Sequence, residues 1–281
     1  MHPELFKIGS FAVKAYGLTL AVSFFLGTML AVRRARKSGL NPLQMLDLCF
    51  IVMVAAIIGS RLFYVVYHFD EFKGHLIDII NPFQRSGEVG IAGLSMMGGL
   101  VLAIAAALAY FIIKKINPWP LLDALAPSFF LGKAVTRIGC FLNGCCFGHP
   151  THCGCGVVFP ADSMAGWTFP DTPLWPTQLM SSAAGLIMFV ALLVLEKRKR
   201  YDGFTFWNGL TMYSVWRFTI DFFRYYEDSM VFMKVGGIAI SRNQFLCLCL
   251  LAISIWWHLY LRKKHVRPKP IAGKNNQPAD R

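Results

Sequence analysis

The chain has 281 residues, of which 56% are hydrophobic and only 15% are charged, and its formal net charge is +13. A soluble domain of this length would need far more polar surface, so the composition excludes a soluble globular protein and indicates a polytopic membrane protein. The basic residues stand in short clusters beside apolar segments. This pattern excludes nucleic acid as the partner of the positive charge and indicates a lipid bilayer.

Seven apolar segments are close to the roughly 20 residues that a membrane span needs. They cover residues 12–32, 44–67, 92–113, 119–142, 177–195, 204–223 and 243–261. The sequence therefore predicts an all-α polytopic membrane protein with about seven transmembrane helices. Residues 1–264 form one integral membrane domain in this interpretation, and residues 265–281, which are basic and poor in apolar residues, form a disordered cytoplasmic tail.

Lysine and arginine in the loops predict the orientation. Seventeen of them lie in one set of loops together with the C-terminal tail, and six lie in the opposite set. The positive-inside rule then places the N-terminus outside and the C-terminus in the cytoplasm, which agrees with an odd number of spans. Residues 68–91 and 145–176 become the two large external loops.

The fourth apolar segment ends in a glycine-rich stretch, residues 137–148. Arg137 lies at membrane depth or at its edge, where a guanidinium is costly unless an anionic or polar group meets it. Backbone amides at the glycines and the side chain of Asn143 add donors, and this set suits a phosphate oxyanion. Lys133, on the same helix face, adds to the positive field. The alternative is a kinked helix end whose Arg137 extends to the lipid headgroups.

The sixth segment carries a polar stripe. Tyr213, Arg217 and Asp221 recur at every fourth position, so they share one helical face. A polar stripe on an aromatic membrane helix faces a protein interior or a wet cavity. Either Arg217 and Asp221 form an ion pair that joins two helices, or Arg217 is a second cation for the anion beside Arg137, oriented by Asp221.

Two further features have simple structural explanations. Gly98 and Gly99 in the third segment are typical of closely packed membrane helices. Arg61 and Lys14 lie near span ends, where their side chains can extend to the headgroups.

Five of the eight cysteines fall within sixteen residues: Cys140, Cys145, Cys146, Cys153 and Cys155. In an external loop, Cys145 or Cys146 is expected to bridge to Cys153 or Cys155. A metal or redox site is the alternative, but the spacing Cys-x4-Cys-Cys-x6-Cys-x-Cys matches no standard zinc pattern. We therefore expect a disulfide or inert thiols, with no metal and no cofactor.

Residues 136–148 resemble the membrane signature of the prolipoprotein diacylglyceryl transferase family, Gly-Arg-x-Gly-Asn-Phe-x-Asn-Gly-Glu-x-x-Gly. The resemblance extends over nearly the whole chain, because further motifs of the family follow in the same order. They are Tyr16-Gly17-Leu18, Gly59-Ser60-Arg61, Gly98-Gly99-Leu100, Val157-Val158-Phe159-Pro160, Pro176-Thr177-Gln178-Leu179, residues 213–224 and Gln244.

The resemblance implies a catalytic domain in the bacterial inner membrane. Its expected reaction transfers the diacylglyceryl group from phosphatidylglycerol to the cysteine thiol of a prolipoprotein signal peptide, with formation of a thioether and release of glycerol phosphate. The implied catalytic residues are Arg137, Arg217, Tyr213, Asp221 and Tyr16. The implied substrate-binding residues are Arg137, Asn143, Gly98, Gly99, Gly148, Arg61 and Gln244.

The sequence departs from the family pattern at four positions. Met97 stands where the family commonly has a histidine, Cys140 replaces an asparagine, and Cys145 and Asp221 replace glutamates. Without the histidine, Asp221, Tyr213 or Tyr16 must assist in removing the proton of the acceptor thiol, or the arginines must lower the pKa of that thiol.

Three other functions stay open from the sequence. The first is a divergent paralogue that uses another acceptor. The second is a membrane thiol oxidoreductase that uses the cysteines between Cys140 and Cys155. The third is a transporter in which the same arginines bind an anionic solute.

Overall fold

The computed structural model describes residues 4–8, 11–73, 93–226, 231–235 and 238–264. In this part of the chain, helices carry the fold, and the predicted all-helical class is confirmed. The helices are α1 (Ala15–Lys37), α2 (Pro42–Tyr67), α3 (Phe69–Phe72), α4 (Met96–Lys114), α5 (Pro118–Leu142), α6 (Met164–Thr168), α7 (Thr177–Glu196), α8 (Phe204–Ile220) and α9 (Arg242–Lys264). Two short antiparallel hairpins join β1 (Glu4–Ile8) to β2 (Phe11–Lys14) and β3 (Val231–Val235) to β4 (Ile238–Ser241).

Within the described residues, six helices are long and apolar enough to cross a membrane: α1, α2, α4, α5, α7 and α9. Each of them coincides with a predicted segment. The remaining predicted segment forms α8, which has 17 residues and ends at Ile220 rather than at residue 223. The number of spans and the orientation of the termini stay predictions. The predicted tail, residues 265–281, and most of the loop 68–91 lie outside the described residues.

Helices α2 and α5 begin with the same Asn-Pro pair. The Oδ1 atom of Asn41 accepts the N–H of Leu43 at 2.9 Å, and that of Asn117 accepts the N–H of Trp119 at 3.3 Å. The proline that follows each asparagine has no N–H, and the N–H at the first helical position would be unpaired in any case. Each of these helices therefore begins at a signal in its own sequence.

Helix α8 begins differently, because a buried side chain of α5 completes its first turn. Asp123 accepts the N–H of Gly203 at Oδ2 (2.8 Å) and the N–H of Phe206 at Oδ1 (2.9 Å). The Nζ atom of Lys199 lies 3.0 Å from Oδ2 of the same carboxylate. The positive end of the helix and the ammonium together compensate the buried carboxylate.

Helix α5 lies at the centre of the bundle and packs against α1, α7 and α8. Small residues allow the close approaches: a Cβ on Gly132 would lie 3.3 Å from the carbonyl oxygen of Ser23, and a Cβ on Gly185 would lie 3.2 Å from the Cβ of Ala134. The hydroxyl of Ser182 also donates to the carbonyl oxygen of Ala134 at 2.8 Å. Close packing of small residues therefore joins α5 to α1 and α7.

The paired glycines of α4 pack against α2. A Cβ on Gly98 would overlap the Cβ of Phe63 and the carbonyl oxygen of Gly59, and one on Gly99 would overlap the Oγ of Ser60. The packing role that the sequence indicates for this pair is confirmed. A contact of either glycine with substrate stays a prediction.

The chain between α5 and α7 folds over the end of α5 around its own small core. Phe147, Phe159, Ala165 and Leu174 form this core and are all buried. Val157 and Leu174 exchange two backbone hydrogen bonds of 3.0 Å. The segment is thus an ordered cap, and its first residues continue directly from Arg137 and Asn143.

Candidate functional site

A closed network of hydrogen bonds surrounds Asp221 at the end of α8. Arg217 donates from Nη1 to Oδ1 of Asp221, and from Nη2 to the hydroxyl of Tyr226 at 2.9 Å. The Tyr226 hydroxyl in turn donates to the same Oδ1 at 2.9 Å. The side chain of Arg217 is 11% exposed and that of Asp221 is fully buried. The ion pair that the sequence offered as one interpretation of the polar stripe is therefore present.

Asp221 also connects this network to the beginning of α9. Its Oδ2 accepts the hydroxyl of Ser241 at 3.1 Å. Ser241 and Gln244 form a reciprocal cap: the Ser241 hydroxyl accepts the N–H of Gln244 at 3.1 Å, and Oε1 of Gln244 accepts the N–H of Ser241 at 2.8 Å. Gln244 thus has a capping role in this structure, and its predicted contact with substrate stays a prediction.

Positive charges gather between α5 and α8 beside this network. The Nζ atom of Lys133 lies 4.4 Å from the centroid of the Tyr213 ring. Arg137 and Arg217 both interact electrostatically with Lys133 and with Tyr213. The structure therefore brings three of the predicted groups, Arg137, Arg217 and Tyr213, to one place, with Lys133 as a third cation.

Two of these cations are poorly compensated. Nζ of Lys133 is buried and has no hydrogen-bond partner among the residues that the structure describes. Arg137 is half-buried, and its Nη1 atom lies 4.0 Å from Sγ of Cys140 in the described part of the chain. Buried cations without an anionic partner are unfavourable, so this place is suited to an anionic ligand.

Three cysteines converge next to Arg137. The Sγ atoms of Cys140, Cys145 and Cys146 all lie within 4.8 Å of one another. Gly144 and Cys146 have left-handed backbone angles, with φ of 65° and 62°, and the resulting tight turn brings the two later sulfurs back over the end of α5.

The predicted bridge between this group and the later cysteines is wrong. Cys153 bonds to Cys155, while Cys140, Cys145 and Cys146 are free thiols. The reason is that the turn at residues 144–146 places the sulfurs of Cys145 and Cys146 within 4.8 Å of that of Cys140, whereas Cys153 and Cys155 lie on an exposed segment.

Three further predicted residues lie on α1, at the end of α5 and in the segment that follows α5. Tyr16 on α1 is 38% exposed and interacts electrostatically with Arg137. Asn143 forms the C-terminal cap position of α5, next to the converging cysteines. Gly148 packs tightly, because a Cβ there would lie 2.6 Å from the Cβ of Trp175.

Arg61 lies on α2 and Met97 lies on α4. Arg61 donates from Nη1 to the carbonyl oxygen of Gly93 at 3.3 Å, and its guanidinium lies 5.2 Å from the ring centroid of Phe72. Met97, at the position of the family histidine, is 54% exposed. A substrate contact of Arg61 stays a prediction.

Sequence reasoning missed Tyr226 and Ser241. Ser241 had a readable signal, because a serine followed three residues later by glutamine and then an apolar run is typical of a helix start. Tyr226 had none, since it lies beyond the helix that carries Arg217 and Asp221 and reaches them only through the turn that follows.

Comparisons with known proteins agree with the resemblance. A family model described as prolipoprotein diacylglyceryl transferase matches residues 3–260. A phosphatidylglycerol–prolipoprotein diacylglyceryl transferase of Clostridium botulinum (strain Loch Maree / Type A3) is 29% identical over 267 residues, which cover 95% of this chain and 100% of that protein. A protein of the same name from Clostridium kluyveri is 30% identical over 273 residues, with the same coverage of 95% and 100%. This chain, a multi-pass membrane protein with cysteines in its signature, therefore belongs to the prolipoprotein diacylglyceryl transferase family.

Proposed function

We propose that this chain transfers the diacylglyceryl group of phosphatidylglycerol to the cysteine thiol of prolipoprotein signal peptides, the activity for which its relatives are named. The observation that carries the proposal is the buried amino group of Lys133 between α5 and α8, which has no hydrogen-bond partner among the described residues and interacts electrostatically with Arg137 and Arg217. The phosphate of the lipid substrate and the departing glycerol phosphate are both anions. Cationic side chains at this place therefore suit the substrate as well as the leaving group.

The phosphate is bound by Lys133 and Arg137, with Arg217 as the third donor. Lys133 offers three N–H donors, none of which has a partner in the described part of the chain. Arg217 has five N–H donors, and Asp221 and Tyr226 accept one each. The donors that remain are available to phosphate oxygens, while the two bonds hold the guanidinium in one orientation.

The reaction itself needs a thiolate and a stabilised leaving group. The acceptor thiolate attacks the glyceryl carbon that carries the phosphate ester, so a carbon–sulfur bond forms and the carbon–oxygen bond to phosphate breaks. Negative charge develops on the departing phosphate. Fixed cations at that place stabilise the transition state more than the substrate, which accelerates the step.

Asp221 and Tyr226 are positioning residues in this mechanism. Burial raises the pKa of Tyr226 above its ordinary value even though Arg224 and Arg217 lower it. The hydroxyl therefore stays protonated at neutral pH and keeps its bond to Asp221. Asp221 is fully buried and already paired, so it is better placed to orient Arg217 than to accept the acceptor proton.

The reaction takes place in the bacterial inner membrane, with residues 145–176 on its outer side. The ordered cap around Phe147 and Leu174 covers the end of α5 that carries Arg137. Tyr16, Asn143 and Gly148 line the approach to that end in our proposal. Four further residues were predicted to bind substrate, and in our proposal their main role is structural. They are Gly98 and Gly99 in helix packing, Arg61 in a bond to the carbonyl oxygen of Gly93, and Gln244 in the cap of α9.

A rescue experiment tests the function. The chain is expressed in a bacterium depleted of its own transferase, and lipid attachment to a reporter lipoprotein is followed by its shift on electrophoresis and by mass spectrometry. We expect rescue by the natural chain and none by Arg137→Ala expressed at equal level. Absence of rescue by a correctly inserted natural chain contradicts the proposal. Counterflow of glycerol phosphate in proteoliposomes by such an inactive chain would identify it as an anion carrier.

A further inference from the structure

The three cysteines beside Arg137 are close enough to share one metal ion. Their Sγ atoms lie within 4.8 Å of one another. Two thiolates on one zinc ion, each at about 2.3 Å from it, are roughly 3.8 Å apart. Shifts of about 1 Å or less therefore suffice to bring all three sulfurs into bonding distance, and a change of side-chain torsion achieves them without moving the helix.

The backbone that carries two of these sulfurs is fixed from α7. Thr177 donates from its hydroxyl to the carbonyl oxygen of Cys146 at 2.8 Å, and Gln178 donates from Nε2 to that of Cys145 at 2.9 Å. Thr177 is 1% exposed and Gln178 is fully buried. Cys145 also donates its N–H to the carbonyl oxygen of Cys140 at 3.1 Å. Two buried side chains thus hold the turn in an uncommon left-handed form that points the sulfurs at one another.

The charges around the cluster suit a thiolate–metal centre. Three thiolates and one divalent ion carry a net charge of −1. The guanidinium groups of Arg137 and Arg224 both interact electrostatically with Cys146 and offset that charge. Sulfur ligands select thiophilic ions such as zinc over magnesium or calcium.

We propose that Cys140, Cys145 and Cys146 form a zinc-binding site whose fourth position takes the acceptor cysteine thiol. The second half of this statement rests on the proposed transferase function. Three protein ligands leave a tetrahedral ion with one open position. A thiol that coordinates there is deprotonated outright, and its proton passes to solvent. The metal-bound thiolate then attacks the glyceryl carbon, so that the carbon–sulfur bond forms while the carbon–oxygen bond to phosphate breaks and glycerol phosphate leaves. No atom changes its oxidation state in either step.

The proposed zinc site would replace a missing group, the base that removes the proton of the acceptor thiol. The family histidine is replaced by Met97, whose side chain is 54% exposed and has no basic atom. Nη1 of Arg137 lies 4.0 Å from Sγ of Cys140, so the metal site adjoins the phosphate-binding cation. An in-line displacement would then place the glyceryl carbon between the metal-bound thiolate and the phosphate, so that the thiolate attacks from the side opposite the departing oxygen.

Metal binding is tested on the full chain, purified in detergent under reducing conditions and treated with a chelator. We add Zn²⁺ or Cd²⁺ and measure the bound metal by elemental analysis and the cadmium–thiolate absorption. One ion per chain is expected, with loss of binding in Cys140→Ser, Cys145→Ser and Cys146→Ser. Cys249→Ser, at an exposed position of α9, is the matched control and should bind normally.

A measurement on the unaltered chain covers the case in which a serine variant fails to fold. Thiol alkylation followed by peptide mapping should show that Zn²⁺ protects Cys140, Cys145 and Cys146, while Cys249 reacts equally with and without metal. No binding of Zn²⁺ or Cd²⁺, binding that survives all three substitutions, or a disulfide between any two of the three cysteines overturns the site.

A separate experiment tests whether the acceptor thiol occupies the fourth coordination position of the ion. The chain is loaded with Co²⁺, whose sulfur charge-transfer band grows with each coordinated thiolate. A signal peptide with its acceptor cysteine should increase the band, and the same peptide with serine should not. Equal spectra with both peptides overturn the role of the fourth position. If the chain binds metal but does not rescue lipoprotein modification, the transferase function alone is rejected. If the triple serine variant rescues modification at the normal rate, the metal-bound thiolate alone is rejected.

Discussion

Lys133 on α5 places its ammonium 4.4 Å from the centroid of the Tyr213 ring on α8, and no hydrogen-bond partner in the described residues reaches it. A cation over an aromatic face gains about 0.5–2 kcal/mol, which does not replace the water that burial removes from an ammonium. The protein therefore retains a group that costs stability. The proposed phosphate ligand accounts for its presence.

We expect Lys133→Met to separate stability from activity. The change removes a buried charge and keeps the volume, so the melting temperature should stay equal or rise. Diacylglyceryl transfer should fall about 100-fold, as on removal of other fixed donors from a developing anion. Thermal unfolding in detergent and the lipoprotein shift in the depleted strain measure the two effects. Lys197→Met, at an exposed position after α7, is the matched control, and full activity of Lys133→Met would remove Lys133 from the site.

A second prediction concerns the ion pair of Arg217 and Asp221. Arg217→Ala leaves a fully buried carboxylate without its cation, so it should cost about 3–5 kcal/mol of stability as well as activity. Arg217→Leu combined with Asp221→Leu removes both charges and should restore folding but not transfer. Monodispersity in detergent reports folding. A folded double variant with normal transfer would show that the pair is structural and that Arg217 does not bind phosphate.

The glycine pair on α4 gives a third prediction. Gly98→Ala and Gly99→Ala should each lower stability by about 1–3 kcal/mol, because the added methyl group overlaps α2. Gly17→Ala on α1 is the matched control, since a Cβ there meets nothing within 4 Å. It should be neutral or should stabilise the helix by about 0.5–1 kcal/mol. Normal melting of Gly98→Ala together with lost transfer would instead assign that glycine to substrate binding.

The ion pair of Lys199 and Asp123 has a defined pH dependence. Burial lowers the pKa of Lys199, but the carboxylates of Asp123 and Asp202 raise it further, so it lies above the ordinary value of 10.5. A group whose pKa rises on folding adds stability below its ordinary pKa, and this is lost as the pH rises through the folded value. The melting temperatures of the natural chain and of Lys199→Met should therefore differ by a constant amount between about pH 7 and about pH 9. A difference that disappears within this range would contradict the pairing.

The orientation is the fifth prediction. Reporters fused after Lys37, Lys115, Arg200 or Lys264 should be cytoplasmic, and reporters within residues 68–91 or 145–176 should be external. The basis is the excess of basic residues in one set of loops, seventeen against six. An external reporter after Arg200 would contradict the model of seven spans.

Local patterns in the sequence were sufficient to predict the seven long helices that the structure describes and the polar stripe, but not the short helices α3 and α6. The apolar segments became helices close to the expected positions, and Arg217 and Asp221 meet because positions four apart on a helix are neighbours. The same rule placed Lys133 beside Arg137. These are relationships within one helix, where the sequence spacing determines the geometry.

The partners that come from elsewhere in the chain could not be predicted. Tyr226 and Ser241 reach Asp221 through a turn and a hairpin whose course no periodicity records. The pairing of the cysteines failed for a related reason. Spacing does not report the left-handed angle of Cys146, nor that Thr177 and Gln178 fix the turn from another helix.

The hydrogen bonds of Asp123 have a consequence for the order of assembly. Helices α2 and α5 begin at their own Asn-Pro pairs and need no other part of the chain for their first turns. Helix α8 needs a carboxylate that precedes its start by 80 residues in the chain. Because synthesis proceeds from the N-terminus, Asp123 is already in the membrane when residues 203–206 emerge. Helix α8 is thus started by α5, and the Arg217 network forms only on a bundle in which α5 is already present.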